Sequence, residues 1–209
     1  MTMTAGCAAD DPATGADSSP AASVATNGNR ASASDGSAAA TAYPAPAGHV
    51  HGLARDPGDG TLYVATHEGL FSYADGEPEL VSPVIDLMGF AVSGPGEFVA
   101  SGHQGADSEL PEPMGLIRSD DAGRTWEVAS RGGESDFHVL TTAGPVVVGF
   151  DGALRSTEDG TTWTEAALPE PIADLALSPD GQDLLVTTES GLQRSTDRGA
   201  TWEPFPTRR

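Results

Sequence analysis

Five histidines stand at related places in this 209-residue chain, and imidazole is the side chain that most often binds transition metals at neutral pH. They are His49, His51, His67, His103 and His138. Each lies near an end of a short apolar run, and carboxylates such as Glu68 and Asp136 are close in sequence. Neutral imidazoles and carboxylates are the usual ligands of divalent transition metals. The pattern therefore predicts a site for a divalent metal or another polar ligand.

The spacing of His49 and His51 supports this interpretation, because residues two apart on a strand project from the same face. A second interpretation stays open, since histidines at polar loop ends also act simply as hydrogen-bonding groups. No spacing here is as diagnostic as a His-Glu-x-x-His motif. Which of the two interpretations holds depends on the structural elements that carry the histidines.

Three copies of one phrase indicate that these elements are repeats. The copies read Ser119-Asp-Asp-Ala-Gly-Arg-Thr-Trp126, Ser156-Thr-Glu-Asp-Gly-Thr-Thr-Trp163 and Ser195-Thr-Asp-Arg-Gly-Ala-Thr-Trp202. Their tryptophans are separated by 37 residues (126 to 163) and 39 residues (163 to 202). A period of about 40 residues is typical of propellers and solenoids. We therefore divide residues 48–209 into four repeats, at about 49–83, 84–131, 132–169 and 170–207, of which the first lacks the tryptophan.

Each repeat contains three short apolar runs followed by a turn. The second runs are Leu62–Thr66, Phe98–Ser101, Val146–Gly149 and Leu184–Thr187. Runs this short and this rich in β-branched residues indicate strands, since helices usually need ten or more residues. Four antiparallel strands per repeat form the blade of a β-propeller. The sequence thus predicts an all-β protein, a β-propeller with four four-stranded blades, and leaves open whether the ring is closed or incomplete.

A propeller would bring the histidines to one place. The first strand of each blade is innermost, and the loop before it lies on the same side of the ring as the loop after the second strand. His49, His51 and His138 are at the starts of first strands, whereas His67 and His103 end second strands. All five are therefore expected at one rim of the central channel, with the repeated phrase on the opposite side.

The repeated phrase, Ser-x-Asp-x-Gly-x-Thr-Trp, resembles the Asp box, or BNR repeat, of sialidases, sortilin-type receptors, photosystem II assembly factors of the Ycf48 kind and many secreted propellers. Its polar side chains suit a tight turn, its glycine permits unusual dihedral angles, and its tryptophan packs between sheets. In the middle copy Glu158 replaces the aspartate, and Asp159 could substitute for it. A structural role is therefore predicted for Ser119, Asp121, Gly123, Trp126, Ser156, Gly160, Trp163, Ser195, Asp197, Gly199 and Trp202.

The histidine-containing phrases are also similar to those of secreted bacterial Asp-box proteins of the glycosylhydrolase-like kind, over about residues 48–202. This resemblance implies glycoside hydrolysis as an alternative function, with Glu68 and Asp136 as the candidate catalytic carboxylates. A sialidase needs an arginine cluster, but the arginines here mostly recur beside the repeated phrase, on the side away from the histidines: Arg118, Arg155 and Arg194. We therefore expect a binding or assembly module, with a protein or carbohydrate ligand, rather than a sialidase.

Composition restricts the partners further. The net charge of −21 arises from 31 acidic and 10 basic residues, so the chain repels phosphate backbones and anionic membrane surfaces, and no nucleic-acid partner is expected. Residues 1–47 consist mostly of Ala, Ser, Thr, Gly, Asp and Pro without apolar periodicity, which predicts a disordered linker. The remaining residues, 48–209, are enough for one domain, and we expect a monomer.

The single cysteine, Cys7, precedes most of this linker and follows Thr4-Ala-Gly6. This tetrapeptide resembles the end of a bacterial lipobox, in which the cysteine is lipidated. Only six residues precede Cys7, fewer than the apolar core of a secretion signal needs, so an incidental cysteine is the other interpretation. The resemblance implies an extracytoplasmic protein, either a cell-surface lipoprotein or a secreted one, whose only membrane contact is a lipid anchor at Cys7.

Overall fold

Four antiparallel sheets make up the part of the chain that the computed structural model describes, which is residue 46 and residues 48–168 and 170–206. Each sheet has four strands, and strands that follow each other in the sequence are hydrogen-bonded neighbours. The predicted all-β fold, a propeller with four four-stranded blades, is confirmed. Within the described ranges no helix has the length and apolar character needed to cross a membrane. Cys7 and the predicted linker, apart from residue 46, lie outside the described residues.

The strand bounds follow the predicted repeats. The first blade contains β1 (Val50–Arg55), β2 (Leu62–Thr66), β3 (Gly69–Ser72) and β4 (Glu79–Leu80). The second contains β5 (Asp86–Gly94), β6 (Glu97–His103), β7 (Leu116–Ser119) and β8 (Glu127–Ser130). The third contains β9 (Val139–Ala143), β10 (Val146–Phe150), β11 (Leu154–Thr157) and β12 (Thr164–Ala166). The fourth contains β13 (Ile172–Leu177), β14 (Leu184–Thr188), β15 (Gly191–Ser195) and β16 (Glu203–Pro204).

Apolar clusters between successive blades form the core. The first and second blades share a cluster that includes Tyr63, Leu70, Phe90, Phe98 and Trp126. The second and third share Val99, Leu116, Phe137, Leu140 and Val147. The third and fourth share Val146, Val148, Leu154, Leu175, Leu184 and Val186. Among the described residues no such cluster joins the fourth blade to the first, and Leu53 on β1 is 69% exposed.

The innermost strands carry a repeated irregularity. In β1, β5 and β13 the register shifts by one residue, which leaves His51, Met88 and Ala173 as the extra residue of a β-bulge. In the third blade His138 takes the equivalent place, because its N–H donates to the carbonyl oxygen of Phe150, the residue that also pairs with Val139. A bulge bends the strand and redirects one side chain. The four bulges therefore direct equivalent side chains toward the same region.

The repeated phrase occupies the turn between the third and fourth strands of its blade. In the second blade the Ser119 hydroxyl accepts a hydrogen bond from the Gly123 N–H at 2.9 Å, and Asp121 accepts from the Thr125 N–H at 2.8 Å. In the fourth blade Ser195 accepts from the Gly199 N–H at 2.7 Å, and Asp197 from the Thr201 N–H at 2.8 Å. These contacts satisfy backbone donors that the turn would otherwise leave unpaired.

The middle copy achieves the same turn with different residues. The Thr157 hydroxyl, not that of Ser156, accepts from the Gly160 N–H at 2.9 Å. Asp159 accepts from the backbone N–H groups of Thr161 and Thr162 at 2.8 and 2.6 Å. The Glu158 carboxylate instead forms an ion pair with Arg198 of the next blade.

The tryptophans that end the three copies lie against neighbouring blades. Trp126 is buried in the cluster between the first and second blades. Trp163 stacks on Phe137 with ring centroids 5.0 Å apart, and its indole N–H donates to Ser130 at 2.9 Å. Trp202 donates to the carbonyl oxygen of Ala167 at 2.9 Å. Each tryptophan thus connects its own turn to the blade before it.

Candidate metal centre

The innermost strands line a cleft of about 550 Å³ at the centre of the four blades. All four bulge residues take part in its wall, namely His51, Met88, His138 and Ala173. Apolar side chains supply much of the remaining wall, among them Val50, Leu53, Phe90, Val139 and Leu140. Two of the five histidines therefore face the central cleft because of where the bulges fall.

His51 and His67 form the closest histidine pair. Nε2 of His51 lies 3.1 Å from Nε2 of His67, and the rings meet edge to face with centroids 4.3 Å apart. On its other side, Nδ1 of His67 lies 2.7 Å from Oδ1 of Asp86, at the start of β5. One nitrogen from each imidazole and one Asp86 oxygen all lie within 4.8 Å of one another. These three groups have the ligand chemistry of a divalent-metal site and lie close to one another.

His49 borders the same group. Its ring centroid lies 5.6 Å from that of His67 and 6.5 Å from that of His51. His49 immediately precedes β1 and is exposed, so its side chain has room to change rotamer. We call His49, His51, His67 and Asp86 the first-blade cluster.

Electrostatics favour the metal-binding form of His51. Burial lowers the pKa of the His51 imidazole, and the neighbouring His67 lowers this pKa further, while Asp86 opposes the change. A lower pKa keeps the imidazole neutral at physiological pH. Only neutral imidazole has a nitrogen lone pair to donate to a metal.

His103 and His138 form a separate group around Asp136. Oδ2 of Asp136 lies 2.6 Å from Nε2 of His138 and 3.1 Å from Nε2 of His103. The second nitrogen of His103 is bonded to Glu112, and this hydrogen bond raises the pKa of His103 and lowers the pKa of Glu112. A histidine held between two carboxylates is stabilised as its cation, which does not ligate metal. The first-blade cluster is therefore the better candidate.

The five histidines, which were expected together at one rim, thus form two groups there. His49, His51 and His67 come together, whereas His103 and His138 share Asp136. Asp86 links the groups, because it pairs with His103 in the register of β5 and β6 while its side chain contacts His67. Asp86 and Glu112 do not stand out in the sequence pattern, although Asp86 begins the first strand of its blade, close to the position that His51 and His138 take in theirs.

The two candidate catalytic carboxylates lie in different surroundings. Asp136 is partly buried against His103 and His138. Glu68 is exposed in the turn after β2, beside Gly48. These contacts do not place Asp136 and Glu68 in one shared site.

A larger cleft, of about 630 Å³, lies between the second and third blades on the side of the repeated phrase. Ser119 and Thr125 line it, and its cationic residue, Arg118, is accompanied by Glu97, Asp120 and Glu127. This cleft contains no histidine and no cluster of metal ligands among the described residues. The side chains therefore favour the smaller central cleft as the metal site.

Comparison with solved structures establishes the fold. The extracellular domain of a hybrid two-component system from B. thetaiotaomicron matches with a TM-score of 0.56 and 16% identity, over 79% of this chain and 23% of that one. A protein described as TolB from Agrobacterium tumefaciens gives 0.55 and 15%, over 77% and 63%. The GH74 xyloglucanase from Xanthomonas campestris gives 0.52 and 17%, over 75% and 30%. The chain is similar to these proteins as a β-propeller.

No family model and no curated protein matches the chain. The chain spans about a quarter of the first two solved structures that it resembles, 23% and 25% of their lengths. At identities of 16% and 17% such likeness concerns the path of the backbone and not the site.

Proposed function

We propose that this protein is an extracytoplasmic binding module that holds a divalent transition metal at the rim of its central channel. The observation that carries the proposal is the approach of His51 and His67, whose Nε2 atoms lie 3.1 Å apart, with Asp86 against the second nitrogen of His67. Residues from β1, the β2–β3 turn and β5 thus come together at one place on the rim.

The donor atoms favour particular metals. Imidazole nitrogen suits zinc, copper and nickel, whereas magnesium and calcium prefer sites made of oxygen atoms. The net charge of −21 also raises the concentration of cations near the surface. Zinc and copper are therefore the metals to test first.

The extracytoplasmic location rests on two supports. Cys7 lies in a lipobox-like tetrapeptide ahead of the predicted linker, and one structural neighbour is itself an extracellular domain. A lipid anchor at Cys7 would hold the module at the cell surface, where a protein or carbohydrate ligand can reach it. Lipidation is tested by labelling the expressed full-length chain with a fatty-acid analogue, in comparison with Cys7→Ser.

Calorimetric titration of the EDTA-treated full chain with Zn²⁺ or Cu²⁺ tests metal binding directly. We expect one site with a Kd of about 1 μM or tighter. The double variant His51→Ala with His67→Ala should lose this site, while His138→Ala, which removes an imidazole hydrogen-bonded to Asp136, should keep it. The proposal fails if the wild type takes up no metal, or if the double variant binds as tightly as the wild type.

A further inference from the structure

The ligand atoms of the first-blade cluster can be assigned from its geometry. Metal–nitrogen bonds of about 2.0–2.1 Å place two ligating nitrogens roughly 3 Å apart when the angle at the metal is near 90–110°. The Nε2 atoms of His51 and His67 are already 3.1 Å apart. The separation of the two Nε2 atoms therefore suits a shared metal, and the rings, whose centroids are 4.3 Å apart, need only a small tilt to direct both lone pairs at it.

Asp86 lies on the wrong side of His67 to complete this set. Its Oδ1 is bonded to Nδ1 of His67, across the ring from the Nε2 that faces His51. A carboxylate that accepts the Nδ1–H leaves Nε2 with its lone pair free for the metal. Histidine ligands are commonly oriented in this way by a carboxylate that does not itself touch the metal.

His49 is the remaining donor within reach. Two imidazoles on one metal have ring centroids roughly 4.5–5.5 Å apart, given the same bond length. The separation from His67, 5.6 Å, nearly meets this condition, and the separation from His51, 6.5 Å, exceeds it by about one ångström. Because His49 is exposed at the start of the first strand, a change of rotamer can close this gap at small cost.

We propose, resting on the metal-binding function above, that the inner ligands are His49, His51 and His67, that Asp86 is a positioning residue, and that one coordination position stays open toward the central cleft. Three neutral ligands leave the double positive charge of the metal unbalanced in its inner sphere. The open position therefore takes water or a small anion, such as a carboxylate. The surroundings agree, since His49 is exposed, the side chain of His67 is 41% exposed, and His51 lines the cleft. Structural zinc sites are closed by four protein ligands, whereas sites that exchange ligands keep one position free.

Two spectroscopic measurements on the metal-loaded full chain test this assignment. Pulsed EPR of the Cu²⁺ protein should detect three bound imidazoles in the wild type and in His138→Ala, and two in His49→Ala. Asp86→Asn should keep three imidazoles and an unchanged Co²⁺ absorption spectrum, while metal affinity falls about 10–100-fold. Asp86→Glu should recover part of that affinity. Addition of azide should shift the Co²⁺ spectrum, because the anion enters the open position.

The outcomes separate this inference from the one on which it rests. Absence of metal from the wild type overturns the proposed function itself. Metal binding with an unchanged imidazole count in His49→Ala shows that His49 is not a ligand. A changed Co²⁺ spectrum in Asp86→Asn shows that Asp86 is an inner ligand, and a spectrum insensitive to azide shows that the site is closed. Each of these last three results overturns the assignment while leaving metal binding intact.

Discussion

Asp86 lies opposite His103 in the register of β5 and β6, while its carboxylate contacts His67 of the first blade. One residue of the second blade thus completes the histidine cluster of the first blade and adjoins the start of the second group. The nearby Asp86 also contributes to the raised pKa of His103, after Glu112 and Asp136. Asp86 therefore connects the two histidine groups, and we expect substitutions near it in the second blade to affect the cluster of the first blade.

Substitution of Gly102 tests how the second blade holds Asp86. Gly102 has a φ of 142°, and a Cβ there would collide with the backbone oxygen of Asp86. We expect Gly102→Ala to displace the start of β5 and to weaken metal binding by about 10–100-fold, as loss of a residue that orients a ligand does. The control is Gly60→Ala, which also has a positive φ but has nothing within 4 Å of the added Cβ. That control should cost about 1–2 kcal/mol of stability and leave metal affinity unchanged. Equal affinities in the two variants would contradict the expectation.

The ion pair between His103 and Glu112 should make stability depend on pH. The hydrogen bond to Glu112 raises the pKa of His103, so its contribution is fully present below the ordinary histidine pKa of 6.5 and is lost as pH rises through the raised value. Glu112→Gln should therefore lower the melting temperature more at pH 6 than at pH 9. Both side chains are over 40% exposed, so the effect is at most about 1 kcal/mol. NMR titration of the metal-free variant should give a lower His103 pKa, and an unchanged value would refute the assignment.

Acid should weaken the turn of the fourth blade. Hydrogen bonds from the side chain and backbone of Thr201 lower the pKa of Asp197 from 3.8 to about 2. A depressed carboxyl pKa contributes stability above the unfolded value, and this contribution is lost as pH falls from about 4 to about 2. Asp197→Asn should thus lower the melting temperature at pH 7 and narrow the gap to the wild type at pH 2. The matched control is Asp75→Asn, at an exposed position in the first repeat, which lacks the tryptophan. It should leave the melting temperature unchanged at both pH 7 and pH 2.

Phe137 is the strongest test of packing between blades. Its side chain is fully buried, stacks on Trp163, and belongs to the cluster between the second and third blades. Phe137→Ala should lower the free energy of unfolding by about 3–5 kcal/mol, as removal of a buried aromatic ring usually does. Leu53→Ala, at a 69% exposed position, should change it by no more than about 0.5 kcal/mol. Urea denaturation measures the free energy of unfolding of both variants. Equal losses of that free energy in Phe137→Ala and Leu53→Ala would mean that the blades do not depend on this cluster.

The propeller could be predicted because its signals are local. Strand composition and the turn residues around Trp126, Trp163 and Trp202 lie within single repeats, and the spacings of 37 and 39 residues relate one repeat to the next. The hydrogen bond from the Gly199 N–H to the Ser195 hydroxyl joins residues only four positions apart. The use of Thr157 in place of Ser156 in the middle copy is harder to predict from the sequence. It depends on a difference of one residue in how β11 pairs with β10.

The sequence alone determined the repeat, the strands and the side of the ring on which the histidines fall, since these follow from periodicity and from the order of strands in a blade. Only the tertiary structure decided which of those histidines meet. The bulges at His51 and His138 direct their side chains, and the approach of β5 to the first blade brings Asp86 to His67, 19 residues away in the chain. Distances of about 3 Å between ligand atoms depend on how two sheets pack, and that packing is set by the apolar clusters between blades rather than by the residues at the rim.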